Sequence, residues 1–187
     1  MTHIMDVSGT HEALFHLRHL ASGSRDFCRG ELLHFGADDY SPEEWETYQG
    51  QLTFLVSRSL INCAINLRLL QDTLRSQSSA SELSEAESDY GLREDLNLGE
   101  VLAGNFALTL RESCNKVIHA TKLSLLFSES RTGKPARRYS YWNGHVYISG
   151  EQSKRDWAAS LNVAKWCTAV ETYVQCFWGD VEWGWRA

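Results

Sequence analysis

The chain has 187 residues, 43% of them hydrophobic, and a formal net charge of −6. That length supports one well-buried core and is short for two, so a single helical domain spanning residues 1–187 is expected. The acidic balance argues against a general nucleic-acid coat, which needs a basic surface. No run of about eighteen apolar residues marks a membrane span, and the polar N-terminus lacks the basic-then-apolar order of a secretory signal, so a cytoplasmic protein without membrane contact is expected.

Residues 10–35 carry Ala13, Leu14, Leu17, Leu20 and Ala21 at amphipathic helical spacing, with Gly23 as a break, so one helix or two short ones are expected. Glu12, His16 and His19 share a side of the first turns. No matching pair stands elsewhere in the chain, which favours surface histidines over a metal site. Ser41-Pro42-Glu43-Glu44 is a helix start, with a capping Ser and Pro at the first helical position. The long helix that follows keeps Trp45, Leu52, Val56, Cys63, Leu67, Leu70 and Leu74 on one face. Phe54, Ile61 and Ile65 make its middle apolar on the opposite side as well, which predicts a centre buried on two sides. Asn62 and Asn66, in that middle, require hydrogen-bond partners from a neighbouring helix or a ligand.

Residues 77–97 are rich in Ser and Glu and are expected to form a flexible connection or a weak helix. A second helix is expected from about residue 97 to 123, with Ala103, Phe106, Leu110, Cys114 and Val117 on its core face. Arg111, Asn115 and His119 then line another ribbon, together with Val101 and Leu108, which points to a packed contact there. Glu112 and Lys116 are expected as an exposed ion pair. Farther on, Arg138–Trp142 and His145–Ser149 flank Asn143-Gly144, the dipeptide that favours a type I′ turn, and predict a small β-hairpin over 138–149. Its register would place Tyr139, Tyr141, Val146 and Ile148 on one face and Arg138, Ser140, Trp142, His145 and Tyr147 on the other. Ser153 is expected to cap a last helix bearing Ala159, Val163, Trp166, Val170, Tyr173 and Phe177, and the tail with Trp178, Trp183 and Trp185 is too aromatic for a solvated terminus. The resulting fold class is mainly α, a helical bundle with one long central helix and a small hairpin before the last helix. The five cysteines show no metal or redox spacing and are expected as buried thiols.

The segment Leu110-Arg111-Glu112-Ser113-Cys114-Asn115-Lys116-Val117-Ile118-His119-Ala120 resembles the motif of the HEPN superfamily of prokaryotic defence and toxin proteins. The resemblance implies a helical, often dimeric domain, in many members a metal-independent endoribonuclease acting without a cofactor. It assigns His119, Arg111 and Asn115 to the motif's histidine, arginine and polar residue. The separation of Arg111 from His119 is longer than usual for that motif, and Glu112 follows the arginine where Asn, Asp or His is typical. Metal-free RNA cleavage needs proton transfer and stabilisation of charge on phosphate oxygens, tasks suited to an imidazole and a guanidinium. Lys134, Arg137 and Arg138 form a basic cluster assigned to RNA binding. RNA, a second copy of the chain and a protein partner or antitoxin are the expected partners, in a toxin or phage-defence setting. The alternative is a non-catalytic helical interaction protein that binds a protein partner through the aromatic hairpin and C-terminal tail.

Overall fold

A computed structural model describes residues 6–33, 42–92, 96–130 and 138–180. Helices α1 (Val7–Gly30), α2 (Pro42–Gln77) and α3 (Ala80–Asp89) come first; strand β1 (Gly99–Ala103), helix α4 (Leu110–Ile118) and strands β2 (Lys122–Glu129), β3 (Ser140–Gln152) and β4 (Arg155–Asn162) follow. Helix α5 (Val163–Phe177) and a 3-10 turn (Trp178–Asp180) complete the order. Helices hold most of the described residues, so the mainly α class stands. The bundle is incomplete as a description, because the strands form one antiparallel sheet in the order β1-β4-β3-β2.

The long helix forms as expected, but its centre is buried on one side only, because Phe54, Ile61 and Ile65 are exposed. Pro42 opens α2 with Glu43 and Glu44 in its first turn, where carboxylates complement the helix dipole; Ser41 lies outside the described residues. All seven residues of the predicted inner face, Trp45 through Leu74, are buried. Helix α1 runs unbroken through Gly23, capped by Asp6, whose carboxylate accepts from Gly9 N. Asn66 donates to Thr10 Oγ1 of α1 at 3.0 Å and to Asn62 at 3.4 Å, so the neighbouring helix satisfies it. Within the expected connection over 77–97, residues 80–89 form α3. Ser79 and Glu82 make a reciprocal capping box, Leu83 is buried, and Tyr173 of α5 donates to Glu87 at 2.9 Å.

Three expectations over the second half are corrected. The helix expected over 97–123 is broken into β1, a loop and the short α4. Gly99 and Gly104 hold positive φ before Thr109, whose hydroxyl accepts from Glu112 N and starts the helix afresh. Val101 therefore lies on a strand and shares no helical ribbon with Asn115.

The hairpin over 138–149 is instead one continuous strand. Gly144 takes φ 81° while Asn143 does not turn positive, and the pair forms a bulge in β3 where the pairing with β2 slips between Leu126 and Phe127. Asn143 Oδ1 accepts from His145 N and Trp142 Nε1 donates to the His145 carbonyl, closing the bulge locally. Trp142 is consequently fully buried beside Val146 and Ile148, not on the opposite face.

The actual hairpin joins β3 to β4 through Ser153 and Lys154, at φ 52° and 62°. Ser153 caps no helix, and Ala159 belongs to β4. Asn162 caps α5, its side chain accepting from Lys165 N. Val163, Trp166, Val170, Tyr173 and Phe177 are all buried on α5 as the spacing predicts. Trp178 is half-buried, and Trp183 and Trp185 lie outside the described residues.

The core fills the space between one face of the sheet and the helices, with Trp142, Trp166 and Tyr173 among its largest fully buried side chains. Gly150 marks a close approach within it: a Cβ there would lie 2.7 Å from the Trp157 ring. Four cysteines are buried and Cys176 is half-buried.

Candidate anion-binding site

Arg111, Asn115 and His119 are expected on one ribbon of α4, and the structure separates their side chains. Arg111, in the first turn, reaches α2: its Nη2 donates to Asp72 Oδ1 at 2.6 Å. Asn115 turns back within α4 and donates to Glu112 Oε2 at 3.0 Å. His119 is the C-cap of α4, held by its backbone N–H on the Asn115 carbonyl, and its exposed ring makes no bond among the described residues. Eight residues of helical rise, about 12 Å, part Arg111 from His119. The two do not converge on one atom within a single copy.

Arg111 instead joins arginines that sequence spacing had not linked to it. Arg68, on α2, donates through Nη2 to Asp72 Oδ2 at 3.1 Å, so one carboxylate serves two guanidiniums. Each of those guanidiniums also carries an Nη1 that is buried and has no hydrogen-bond partner. Burial, with the charge of Arg111 second, lowers the Arg68 pKa below its ordinary value. Buried N–H groups are normally bonded, so two unsatisfied donors beside a surplus positive charge make this edge of α2 and α4 receptive to an oxyanion.

A cleft of about 830 Å³ opens beside Arg111. It lies between α2, α3, the segment leading into α4, and α5, and it includes Arg75, Gln71, Glu87 and Tyr173 along with Leu83 and Leu108. Gln71 is only 3% exposed and its Oε1 is unpartnered. Tyr173 is committed to Glu87, and burial, then that carboxylate, pushes its hydroxyl pKa up. The cleft thus adds a third arginine and an apolar wall to the Arg68–Asp72–Arg111 cluster.

Lys116 corrects another expectation. It is 4% exposed rather than a solvated ion-pair partner. Its Nζ donates to Gln152 Oε1 at 2.9 Å, lies 3.2 Å from Glu112 Oε1, and sits over the rings of Phe106 at 4.5 Å and Trp157 at 4.6 Å. This aromatic seat ties α4 to the β3–β4 hairpin and is structural. Lys116→Ala should therefore cost about 2–3 kcal/mol in urea denaturation, whereas Lys116→Met, which keeps the buried stem, should stay within about 1 kcal/mol. Equal losses from both would show that packing of the stem contributes nothing.

Of the expected basic cluster, Arg138 is exposed just ahead of β3, and Lys134 and Arg137 lie outside the described residues. No group of three His, Cys, Asp or Glu side chains among the described residues is placed to hold a metal. The His19 ring lies tilted against Phe15, 3.9 Å between ring centroids. No helix among the described residues is long and apolar enough to cross a membrane. No family model, curated protein or solved structure matches the chain.

Proposed function

We propose that this protein acts on RNA, as the HEPN-like segment implies, with Arg111, Arg68 and Arg75 holding backbone phosphates and His119 serving in proton transfer. The observation that carries the reading is the pair of guanidiniums sharing Asp72, each with a buried N–H group left to donate. An RNA phosphate supplies acceptor oxygens and the missing negative charge. In this reading Arg111 and His119, about 12 Å apart along α4, meet different phosphates of one strand. In metal-independent cleavage the 2′-hydroxyl attacks the adjacent phosphorus, the 5′-oxygen leaves, and a 2′,3′-cyclic phosphate forms; His119 would take the hydroxyl proton or return one to the leaving oxygen. Asn115 gives its side chain to Glu112 in the first turn and meets His119 through its carbonyl, which accepts the His119 backbone N–H.

The test is fluorescence anisotropy with a labelled single-stranded RNA, followed by product analysis in EDTA. Arg111→Gln and Arg68→Gln should each weaken binding roughly 5- to 10-fold and reduce the salt dependence by about one counterion. His119→Ala should retain binding and lose cleavage. An RNA affinity unchanged by both arginine substitutions would end the phosphate assignment, and cleavage surviving in His119→Ala would end that of the histidine. A second reading, an association protein without a reaction of its own, draws on the apolar outer side of α1 and α2. It predicts no RNA binding by the unsubstituted protein.

A further inference from the structure

We propose that the outer face of α2, with the adjoining groove against α1, is the self-association surface of this protein, and that its occupant is a second copy of the same chain. Nine large hydrophobic side chains are exposed among the described residues, and six of them lie on these two helices: Phe15, Phe27, Phe54, Leu55, Ile61 and Ile65. Phe54 is 63% exposed and Ile65 50%. The groove between the helices includes His19, Phe27, Tyr48 and Leu55, and Phe15 lies against His19, so the α1 aromatics continue the α2 patch.

The spacing on α2 is that of a helix-pairing seam. Phe54, Arg58, Ile61, Ile65, Arg68 and Asp72 follow one another at intervals of four, three, four, three and four. Opposite them, Leu52, Val56, Leu60, Cys63 and Leu67 are already buried in the core. The helix therefore carries two apolar faces, and the described residues of one copy cover one of them.

Charge selects the occupant. From Thr47 through Leu67, Arg58 is the only charged residue, in a chain whose net charge is −6. A nucleic acid would find one cation there, and a strongly charged protein partner would find almost nothing to pair with. A face with a single charge between its ends, repeated on a two-fold mate, meets its own composition, as an isologous contact requires. The area agrees. With large side chains presenting roughly 150–250 Å² when fully open, the six exposed fractions leave on the order of 500 Å² of apolar surface. A stable dimer covers about 800 Å² per partner, close to two-thirds apolar in homodimers, which calls for about the same amount.

The seam ends at Arg68 and Asp72, the residues that meet Arg111. A dimer built on it carries two arginine clusters at the rims of one interface. The association itself does not depend on what those clusters bind.

Sedimentation equilibrium or light scattering on the whole chain tests this directly. Unsubstituted protein should show twice the chain mass of 21.3 kDa. The double variant Ile61→Asp, Ile65→Asp should weaken association roughly 100-fold or more and return the single-chain mass, with its far-UV circular dichroism unchanged, because both side chains are exposed in the lone chain. Ile61→Leu, Ile65→Leu should remain dimeric, which separates loss of the contact from loss of the fold. A single-chain mass for the unsubstituted protein at roughly 100 µM would overturn the proposal, as would a folded Asp variant that still dimerises. RNA anisotropy on the same samples reports the phosphate reading separately.

Discussion

Trp166→Ala is expected to remove about 4 kcal/mol or more of folding stability, measured by urea denaturation at fixed protein concentration. The indole is fully buried on α5, and its Nε1 donates to Ser113 Oγ on α4 at 2.9 Å. Ser113 in turn donates to the Leu110 carbonyl at 2.6 Å, so the bond chain fastens α5 to the first turn of α4, the turn that carries Arg111. Truncation removes the ring, leaves a cavity and unties that turn. Large-to-small changes of this kind cost about 3–5 kcal/mol, a large share of a domain's total of about 5–15 kcal/mol. Trp166→Phe keeps most of the ring and loses the bond, so about 1–2 kcal/mol is expected. Ser113→Ala should fall in the same range, since it orphans the indole N–H. A loss below about 1 kcal/mol for Trp166→Ala would mean that the interior collapses freely around α5, contrary to its packing. Because the protein is expected to pair, the three variants must be compared at one concentration.

The features legible in the sequence were those in which local chemistry and tertiary burial agree. On α2, Pro42, the acidic first turn and a continuous apolar stripe all specify the same helix, and α5 kept its apolar spacing from Val163 onward. The misread stretches are those where a local signal was overridden. Asn143-Gly144 favours a tight turn, but Trp142 and Ile148 both require the core, and β3 meets that demand by bulging instead of reversing. The true reversal uses Ser153 and Lys154, two residues with no special liking for positive φ. Pairing over eight residue positions of β3 with β4 imposes that conformation. The Thr109 to Glu112 cap was present in the sequence, and so were Gly99 and Gly104. A helical periodicity running across them concealed the break.

The candidate site divides in the same way. Arg111 stood out by its helical spacing with Asn115 and His119, and its α2 partners did not, because Arg68 and Asp72 lie about forty residues earlier and meet it only through the packing of α4 on α2. Lys116 gave no sign of burial, since its Phe106 and Trp157 seat is assembled from a loop and a strand. The second apolar face of α2 was visible from Phe54, Ile61 and Ile65. What the structure adds is that no other element of the described chain covers it.

Alkaline solution should destabilise this protein well before it affects an ordinary globular domain. Burial, then the neighbouring Cys114, pushes the Cys63 thiol up to about 12 from an ordinary value of 9.0. Burial pushes Cys114 up to about 12 as well, and it raises Cys167, with Cys63 adding a smaller push. Tyr173 is raised by burial and by Glu87, and Tyr48 by burial and by its contact with Cys28. All these groups are acids whose folded pKa exceeds the unfolded one. The stability linked to them is intact below the unfolded value and is lost as pH rises above it, because the unfolded chain releases protons that the folded chain retains. For the thiols the loss begins near pH 9 and continues toward the folded value of about 12. Each thiol then contributes about 1 kcal/mol of loss near pH 10 and about 2–3 kcal/mol near pH 11, with the tyrosines adding to it above their ordinary 10.0. The buried thiols and tyrosines act in the same direction, so the decline steepens as pH approaches 11. The check is the urea midpoint under a phosphine reductant, followed from about pH 8 to pH 10.5. Cys114→Ala should lower the midpoint at neutral pH through lost packing, and it should also flatten the alkaline decline by about one thiol's share. A midpoint that does not move with pH, or a Cys114→Ala profile parallel to that of the unsubstituted protein, would show that these thiols ionise in the folded chain and are not sealed in the core.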